Sequence, residues 1–354
     1  MVLGVRRSLL VVACVLAAAS KAELLPETQP LPLQVGDGER LLVVSPHPDD
    51  ETLAAGGLAQ RVLERAGSVR TVILTAGDGY VEAVEAETGD LRPRPREFLR
   101  YGEERIREAH AVARLLGGGR IRLDVLGFPD GGLEPLLHAH WTRRHPERSP
   151  TTEETAPPYP QVLDRHVGYD GADLRAELVR ILRETRPTLV ALSDDLDLHP
   201  DHRASGLFAL LALDDWRRLP PPRGGERPAF PRVLAYLVHW PHWPLGWQTE
   251  GGPEDVARLG LDLPPELPLR GETRTCLALT PDEIATKRRA LSAYHTQQAA
   301  MGSFLAAFSR STECFSVLTE REVDSVEARI ERGRRAAAAR ARAHGSPAPR
   351  SPGR

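Results

Sequence analysis

The stretch RLLVVSPHPDDE, residues 40–51, joins a short apolar run directly to a dense group of chemically active side chains. Residues 40–45 are typical of a buried parallel strand, and the pattern from Leu53 to Arg65 predicts a helix after it. In open α/β sheets, ligands bind beyond the carboxyl ends of the strands, which is where residues 46–51 fall. This stretch therefore predicts both an α/β unit and the location of a functional site.

The alternation of strand and helix patterns continues along the chain. Further strands are predicted at 69–75, 121–126, 188–193 and 233–239, with helices at 98–116, 172–184, 204–216 and 281–296. Polar, Pro-rich insertions at 78–97 and 138–168 interrupt the alternation and are predicted to be long loops. Alternation of this kind specifies the α/β class, with a mostly parallel sheet covered by helices on both faces.

Length and charge bound the number of domains and the class of partner. The 354 residues, 41% of them hydrophobic, suffice for one large core. We predict a lead-in at 23–38, one domain with insertions at 39–319, and an Arg/Ala-rich helix followed by a disordered tail at 320–354. The formal net charge of -3 supplies no basic field for a nucleic acid, so none is expected as a partner.

Residues 1–22 have the pattern of a secretory signal peptide. A pair of arginines precedes the apolar stretch Leu9–Ala19, and Ser20-Lys21-Ala22 is a small-x-small cleavage site. The apolar stretch is roughly half the 20 residues that a membrane-spanning helix needs. We therefore predict an exported protein, periplasmic or extracellular, with no integral membrane segment after cleavage. A retained N-terminal segment and lipid attachment at Cys14 are the alternatives.

Cleavage after this segment leaves two cysteines, Cys276 and Cys314. An oxidising compartment permits one disulfide between them, although sequence alone does not supply the geometry that a disulfide requires. Two independent buried thiols are the alternative interpretation.

Two clusters rich in histidine and aspartate follow predicted strands. They are Pro46-His47-Pro48-Asp49-Asp50-Glu51 and Asp197-Leu198-His199-Pro200-Asp201-His202. His47 and Asp50, on a turn stiffened by prolines, can converge on one ion, and a histidine of the second cluster supplies a third ligand. Because parallel strands end at the same edge of a sheet, we expect the two clusters to meet. Helix capping by Asp49 and Asp50 is the alternative role for the first two carboxylates.

Three protein ligands with one open position are typical of a catalytic metal rather than a structural one. Histidine and carboxylate ligands favour zinc, and they also admit iron, cobalt or manganese. A metal lowers the pKa of a bound water, Asp49 can accept its proton, and a positioned histidine can act on a tetrahedral intermediate. The sequence contains no G-x-S-x-G motif, so a serine nucleophile is not predicted.

These residues resemble the PIG-L/LmbE-like family, which includes N-acetylglucosaminylphosphatidylinositol de-N-acetylases and bacterial sugar-conjugate deacetylases. The anchors are Pro46 to Glu51 and His199 to His202, and the resemblance runs from about Arg40 to Gln298. Other matches are Thr75-Ala76-Gly77, Arg105-x-x-Glu108, Leu126 to Gly131 and Lys287 to Gln297.

The resemblance implies a Rossmann-like fold with zinc on His47, Asp50 and His202. It also implies that Asp49 is the general base, that His199 acts on the intermediate, and that Asp201 orients its neighbour. The sequence keeps all five of the central residues, which are His47, Asp49, Asp50, His199 and His202.

Four further residues are weaker candidates for the site. Arg105 is interpreted either as a contact to a substrate hydroxyl or phosphate, or as half of a surface ion pair. Asp130 has either a turn role or a site role. His295, with Gln297, either lines the pocket or packs against the core.

The function predicted from these residues and the resemblance is an exported metal-dependent de-N-acetylase. Its expected substrate is a small molecule or glycan that carries an N-acetylglucosamine-type sugar. Hydrolysis of another amide by the same metal is one alternative. A secreted glycan-binding protein without catalytic activity is the other.

Overall fold

The computed structural model describes residues 30–220, 229–244, 253–269 and 273–343. The predicted signal peptide, with Cys14, and the predicted tail after residue 343 lie outside the described residues. Among the helices that are described, none combines the length and the apolar character needed to cross a bilayer.

The described strands form one twisted sheet. They are β1 (Leu31–Pro32), β2 (Arg40–Ser45), β3 (Ser68–Thr75), β4 (Ile121–Phe128), β5 (Leu189–Ser193), β6 (Arg232–Tyr236), β7 (Thr273–Ala278) and β8 (Thr312–Leu318). Their order across the sheet is β1-β7-β8-β6-β5-β2-β3-β4. Strands β4, β3, β2, β5 and β6 are all parallel, whereas β8 runs antiparallel to both of its neighbours. The parallel part has the strand order of a Rossmann-like fold.

Helices cover both faces of the sheet. They are α1 (Asp50–Glu64), α2 (Val81–Thr88), α3 (Pro95–Gly117), α4 (Leu133–Leu136), α5 (Gly171–Thr185), α6 (Pro200–Arg218), α7 (Pro253–Arg258), α8 (Pro281–Ser292), α9 (His295–Ala306), α10 (Glu320–Asp324) and α11 (Val326–Ala343). Alternate residues of β2 point to opposite faces: Leu41 and Val43 join the core under α1 and α3, whereas Leu42 and Val44 join the core under α5 and α6. The predicted α/β class with helices on both faces is confirmed.

The structure differs from the predicted elements in three respects. The insertion 78–97 contains helix α2, whose Ala83 and Val84 pack on α3, so it is not a loop throughout. The helix predicted over 281–296 ends at Ser292 and a second helix, α9, follows. Strand β1, inside the predicted lead-in, was not predicted, and neither were strands β7 and β8. Cys276 and Cys314 lie directly opposite each other on these two strands and form a disulfide.

The strand order places the candidate site at the centre of the sheet. From β2 the chain passes through α1 to β3 on one side, and β5 lies on the other side of β2. A crevice opens where the connections diverge in this way, outside the carboxyl ends of the strands. The two motif clusters meet because they follow the neighbouring strands β2 and β5.

A buried ion pair shapes α1, which carries the first cluster. The helix departs from helical geometry at Ala55. The amide of Gly57 donates to Glu313 at 2.7 Å instead of to the Leu53 carbonyl, and Lys287 Nζ donates to that carbonyl at 2.8 Å. Lys287 and Glu313 are themselves 2.7 Å apart and almost fully buried. The pair therefore satisfies the backbone groups that the kink leaves open.

Candidate metal centre

The three predicted ligands converge at the carboxyl ends of β2 and β5. His47 Nδ1 lies 3.0 Å from Asp50 Oδ2, and His202 Nε2 lies 3.1 Å from the same oxygen. The two ring nitrogens are 3.2 Å apart. A tetrahedral zinc ion with bonds of about 2.0–2.1 Å separates its ligand atoms by roughly 3.3–3.4 Å. This ligand triangle therefore has nearly the size of one face of a tetrahedral zinc site, and its donors fit zinc.

The outer nitrogens of both histidines face buried carboxylates. His47 Nε2 lies 3.1 Å from Asp130 Oδ1 and 3.5 Å from Asp201 Oδ2. His202 Nδ1 lies 3.3 Å from Asp197 Oδ2. The backbone amides of Gly131 and Leu133, between β4 and the start of α4, donate to Asp201 and hold it in place. Carboxylates in such positions fix the tautomer and the ring orientation of histidines that bind a metal.

The surrounding charges favour a cation at this centre. Burial acts to lower the pKa of His202, but Asp50 and Asp197 outweigh it and raise that pKa to about 9. Burial also opposes protonation of His47, yet Asp130 and its neighbours raise the pKa of His47 well above the ordinary value. Burial acts to raise the pKa of Asp50, whereas His202 and His47 hold it well below its usual range. The carboxylates thus stabilise positive charge at the centre, which protons or a divalent metal can supply.

Asp49 stands beside the ligand triangle on an unusual backbone. Its φ of 123° lies in a region that L-residues rarely adopt. Asp49 occupies the N-cap position of α1, yet its side chain makes no capping hydrogen bond. Burial, together with the charges of Asp50 and Glu51, outweighs the effect of Arg105 and raises the pKa of Asp49 to about 8. The carboxylate of Asp49 is therefore not used for capping and can exchange a proton near neutral pH.

Arg105 is buried and positions Asp49. Its Nη2 lies 3.2 Å from Asp49 Oδ2 and donates to the Pro48 carbonyl at 2.6 Å. Its Nη1 donates to the Gly77 carbonyl at 2.7 Å. A Cβ at position 77 would lie 2.1 Å from Nη1, and Gly77 has a φ of 65°, so a larger residue there would displace the guanidinium on a strained backbone. Glu108 does not pair with Arg105 at the surface; it accepts two hydrogen bonds from Thr296.

A cavity of about 320 Å³ opens over the ligand triangle. Its polar lining includes His47, Asp49, Asp50, Arg105, Asp130, His199, His239 and Gln297, and its apolar lining includes Leu53, Val238, Met301 and Phe304. This lining suits a substrate that presents one polar group to the ligand triangle and an apolar or ring surface to the cavity wall.

Two further imidazoles line this cavity. The His199 ring lies 4.9 Å from that of His47, and its Nδ1 accepts from the Asp201 amide at 3.2 Å, which leaves Nε2 to carry the proton. The His239 ring lies 4.7 Å from that of His202. Burial, reinforced by the neighbouring histidines, lowers the pKa of His199 to about 3 and that of His239 to about 4.

The structure brings most of the predicted site residues together, and His295 is the exception. His295 is exposed at the start of α9. The adjacent Tyr294 faces inward and its hydroxyl donates to Glu51, while Gln297 lines the cavity and donates to Tyr101 at 2.8 Å. Neighbouring helical residues differ by about 100° in direction, so His295 cannot share the face of Gln297.

Two residues of the site were not assigned a role from the sequence. Asp197 was part of a quoted motif without a function, and it now contacts a predicted ligand. His239 is the last residue of the predicted fifth strand, and it lines the cavity. The rule that ligands bind at the carboxyl ends of parallel strands was the available signal for His239.

The fold and the site together define an α/β enzyme whose candidate metal centre lies at the switch point of a Rossmann-like sheet. The sequence profile of the family described as GlcNAc-PI de-N-acetylase (PIG-L) matches residues 42–213. The 1D-myo-inositol 2-acetamido-2-deoxy-alpha-D-glucopyranoside deacetylase of Rhodococcus opacus (strain B4) is 30% identical over 279 residues, which are 73% of this chain and 81% of that protein. The chain belongs to the PIG-L family.

Two other proteins are also similar to this chain. A protein of the same name from Rhodococcus jostii (strain RHA1) is 29% identical over 276 residues, with the same shares of both chains. The solved N,N'-diacetylchitobiose deacetylase from Pyrococcus horikoshii is 19% identical, with a TM-score of 0.47, and the match covers 80% of this chain and 84% of that chain.

Proposed function

We propose that this protein is a metal-dependent de-N-acetylase that hydrolyses the N-acetyl group of an N-acetylglucosamine-type sugar or glycoconjugate. The observation that carries the proposal is the ligand triangle, with sides of 3.0, 3.1 and 3.2 Å, beside an aspartate that makes no capping bond. The names of the Rhodococcus relatives support the substrate class. The family resemblance and the histidine and carboxylate donors favour zinc, held by His47, Asp50 and His202.

A zinc ion bound there would lower the pKa of a water and polarise the amide carbonyl. Asp49 accepts the proton of the attacking water, because its carboxylate lines the cavity and makes no capping bond. Asp49 then returns this proton to the sugar nitrogen as the C–N bond breaks. The products are acetate and the free amine, so the reaction consumes one water for each amide.

The neighbouring residues keep these groups in place. Arg105 holds Asp49 and the Pro48 carbonyl in one arrangement. His199 presents Nε2–H to the cavity and stabilises the tetrahedral intermediate by a hydrogen bond. Asp130, Asp197 and Asp201 orient the ligand histidines.

An acetate-release screen on the purified protein tests this function. The panel contains N-acetylglucosaminyl-inositol, N,N'-diacetylchitobiose, acetylated simple amines and acetylated short peptides, with metal content measured on the same sample. We expect acetate release from an amino sugar, loss of release after chelation, and recovery when zinc returns. Asp49→Asn should lose activity while it keeps its zinc, with His295→Asn as the matched surface control. Full activity of Asp49→Asn, or release from the amines and peptides alone, would contradict the proposal.

Export is part of the same proposal. The signal-like pattern of residues 1–22 and the disulfide between Cys276 and Cys314 both support an oxidising compartment. Fractionation of expressing cells should find the shortened chain outside the cytoplasm. Retention of the full-length chain in the cytoplasm would refute export without affecting the proposed reaction.

A further inference from the structure

His239 lies at the carboxyl end of β6, where the backbone is tied to the metal centre. Asp197 Oδ2 accepts the amides of Val238 and His239, both at 2.9 Å. The same oxygen lies 3.3 Å from Nδ1 of the ligand His202. One carboxylate oxygen therefore links the backbone of His239 to the orientation of a predicted ligand.

His199 and His239 stand beside different edges of the ligand triangle. Donor atoms of His47, His199 and His202 lie within 4.8 Å of one another, and so do donor atoms of Asp50, His202 and His239. His199 thus adjoins the edge between the two ligand histidines, and His239 adjoins the edge between Asp50 and His202. A group bound on the open face of the triangle is within reach of both imidazoles.

The ring of His239 is oriented but has no polar partner. It lies nearly parallel to Phe304, with 4° between the ring planes and 5.6 Å between the centroids. Among the described residues, its ring nitrogens make no hydrogen bond or ion pair with the protein, and the side chain lines the cavity. A neutral imidazole carries one N–H donor, which here is available to a bound molecule.

We propose that His239 is a catalytic residue that donates a hydrogen bond to the acyl oxygen of the bound amide, next to His199. The proposal rests on the proposed deacetylation, in which that oxygen gains negative charge as water adds to the carbonyl carbon. Donors already in place before the reaction stabilise such charge strongly because they need no reorganisation. The parallel Phe304 ring and the Asp197 contacts supply this fixed geometry.

The test compares His239→Phe, which keeps a ring against Phe304, with His239→Gln, which keeps an N–H donor. We expect His239→Phe to lower kcat about 100-fold, with KM and zinc affinity each within about threefold of the wild type. We expect His239→Gln to recover at least about tenfold of that loss. Binding of a phosphonate analogue of the tetrahedral intermediate, followed by calorimetry, should weaken in parallel with kcat, while binding of the free amine product stays unchanged.

Other results overturn the assignment. A kcat of His239→Phe within threefold of the wild type would mean that the ring only packs. A large fall in zinc affinity would make His239 a metal ligand instead. If the wild type is active, either of these results refutes only this inference. A zinc-loaded wild type that neither releases acetate nor binds the phosphonate refutes the proposed function and this inference together.

Discussion

Arg105 gives a sharp test of the site because its buried guanidinium contacts the carboxylate assigned as the base. Arg105→Met keeps much of the side-chain length and removes the charge. At the observed 3.2 Å separation, an effective dielectric of about 20 gives an attraction of about 5 kcal/mol. That energy corresponds to roughly 4 units as an upper limit for the rise in the pKa of Asp49.

The direction of the pH effect follows from the role of Asp49. A base works only when it is ionised, so a raised pKa of Asp49 moves the acidic limb of the profile of kcat/KM to higher pH. Loss of one partner from a buried pair also costs about 3–5 kcal/mol of unfolding free energy. Asp49→Asn in the same chain removes the buried carboxyl group that has lost its partner, so the double variant should be more stable than the two single effects predict.

Two measurements decide the outcome. Acetate release across pH gives the acidic limb, and urea unfolding gives the free energy of each single variant and of the double variant. Arg107→Met is the matched control, because Arg107 lies on the same helix with an exposed side chain. An Arg105→Met protein whose acidic limb and stability both equal those of the control would refute the role given to Arg105.

Three further predictions concern the metal centre and the disulfide between β7 and β8. Burial lowers the pKa of His202, but Asp50 and Asp197 outweigh this and raise it to about 9 without metal. Protons therefore compete with zinc below that pH, and apparent zinc affinity in a chelator competition should rise between pH 6 and 8, whereas a flat profile contradicts this picture. Asp197→Asn should weaken zinc binding by about 10- to 100-fold in the same assay, and unchanged affinity would remove its orienting role. Replacing Cys276 and Cys314 by serine opens a loop with a sequence separation of 38 and should cost about 4 kcal/mol in urea unfolding, and an unchanged midpoint would contradict this.

The parallel part of the fold could be predicted from sequence because its strands are continuous apolar runs. Residues 41–45 are buried on both faces of the sheet, and such runs give a clear pattern. Strands β7 and β8 have no such pattern, because their sequences TRTCLA and TECFSVL mix polar and apolar residues. Their antiparallel pairing joins segments that are far apart in the chain, which local patterns do not encode.

Part of the candidate site could likewise be predicted from the sequence, and part could not. His47, Asp50 and His202 belong to compact motifs that follow neighbouring strands, so their meeting followed from the strand order. The contact between Arg105 and Asp49 could not be predicted, because it depends on how α3 is rotated against the loop after β2. The exposure of His295 likewise depends on a helix start that the pattern over 281–296 concealed.

The positive φ of Asp49 sets backbone strain against a buried ion pair at one position. A non-glycine residue held in a rare backbone region costs about 1–3 kcal/mol. Glycine at position 49 would relieve that strain, but it would also leave the buried guanidinium of Arg105 without its carboxylate, which costs about 3–5 kcal/mol. The ion pair with Arg105 therefore offsets the backbone strain, and relieving the strain alone brings no net stability at this position. A stabilisation campaign on this protein should hold residue 49 fixed and seek its gains elsewhere.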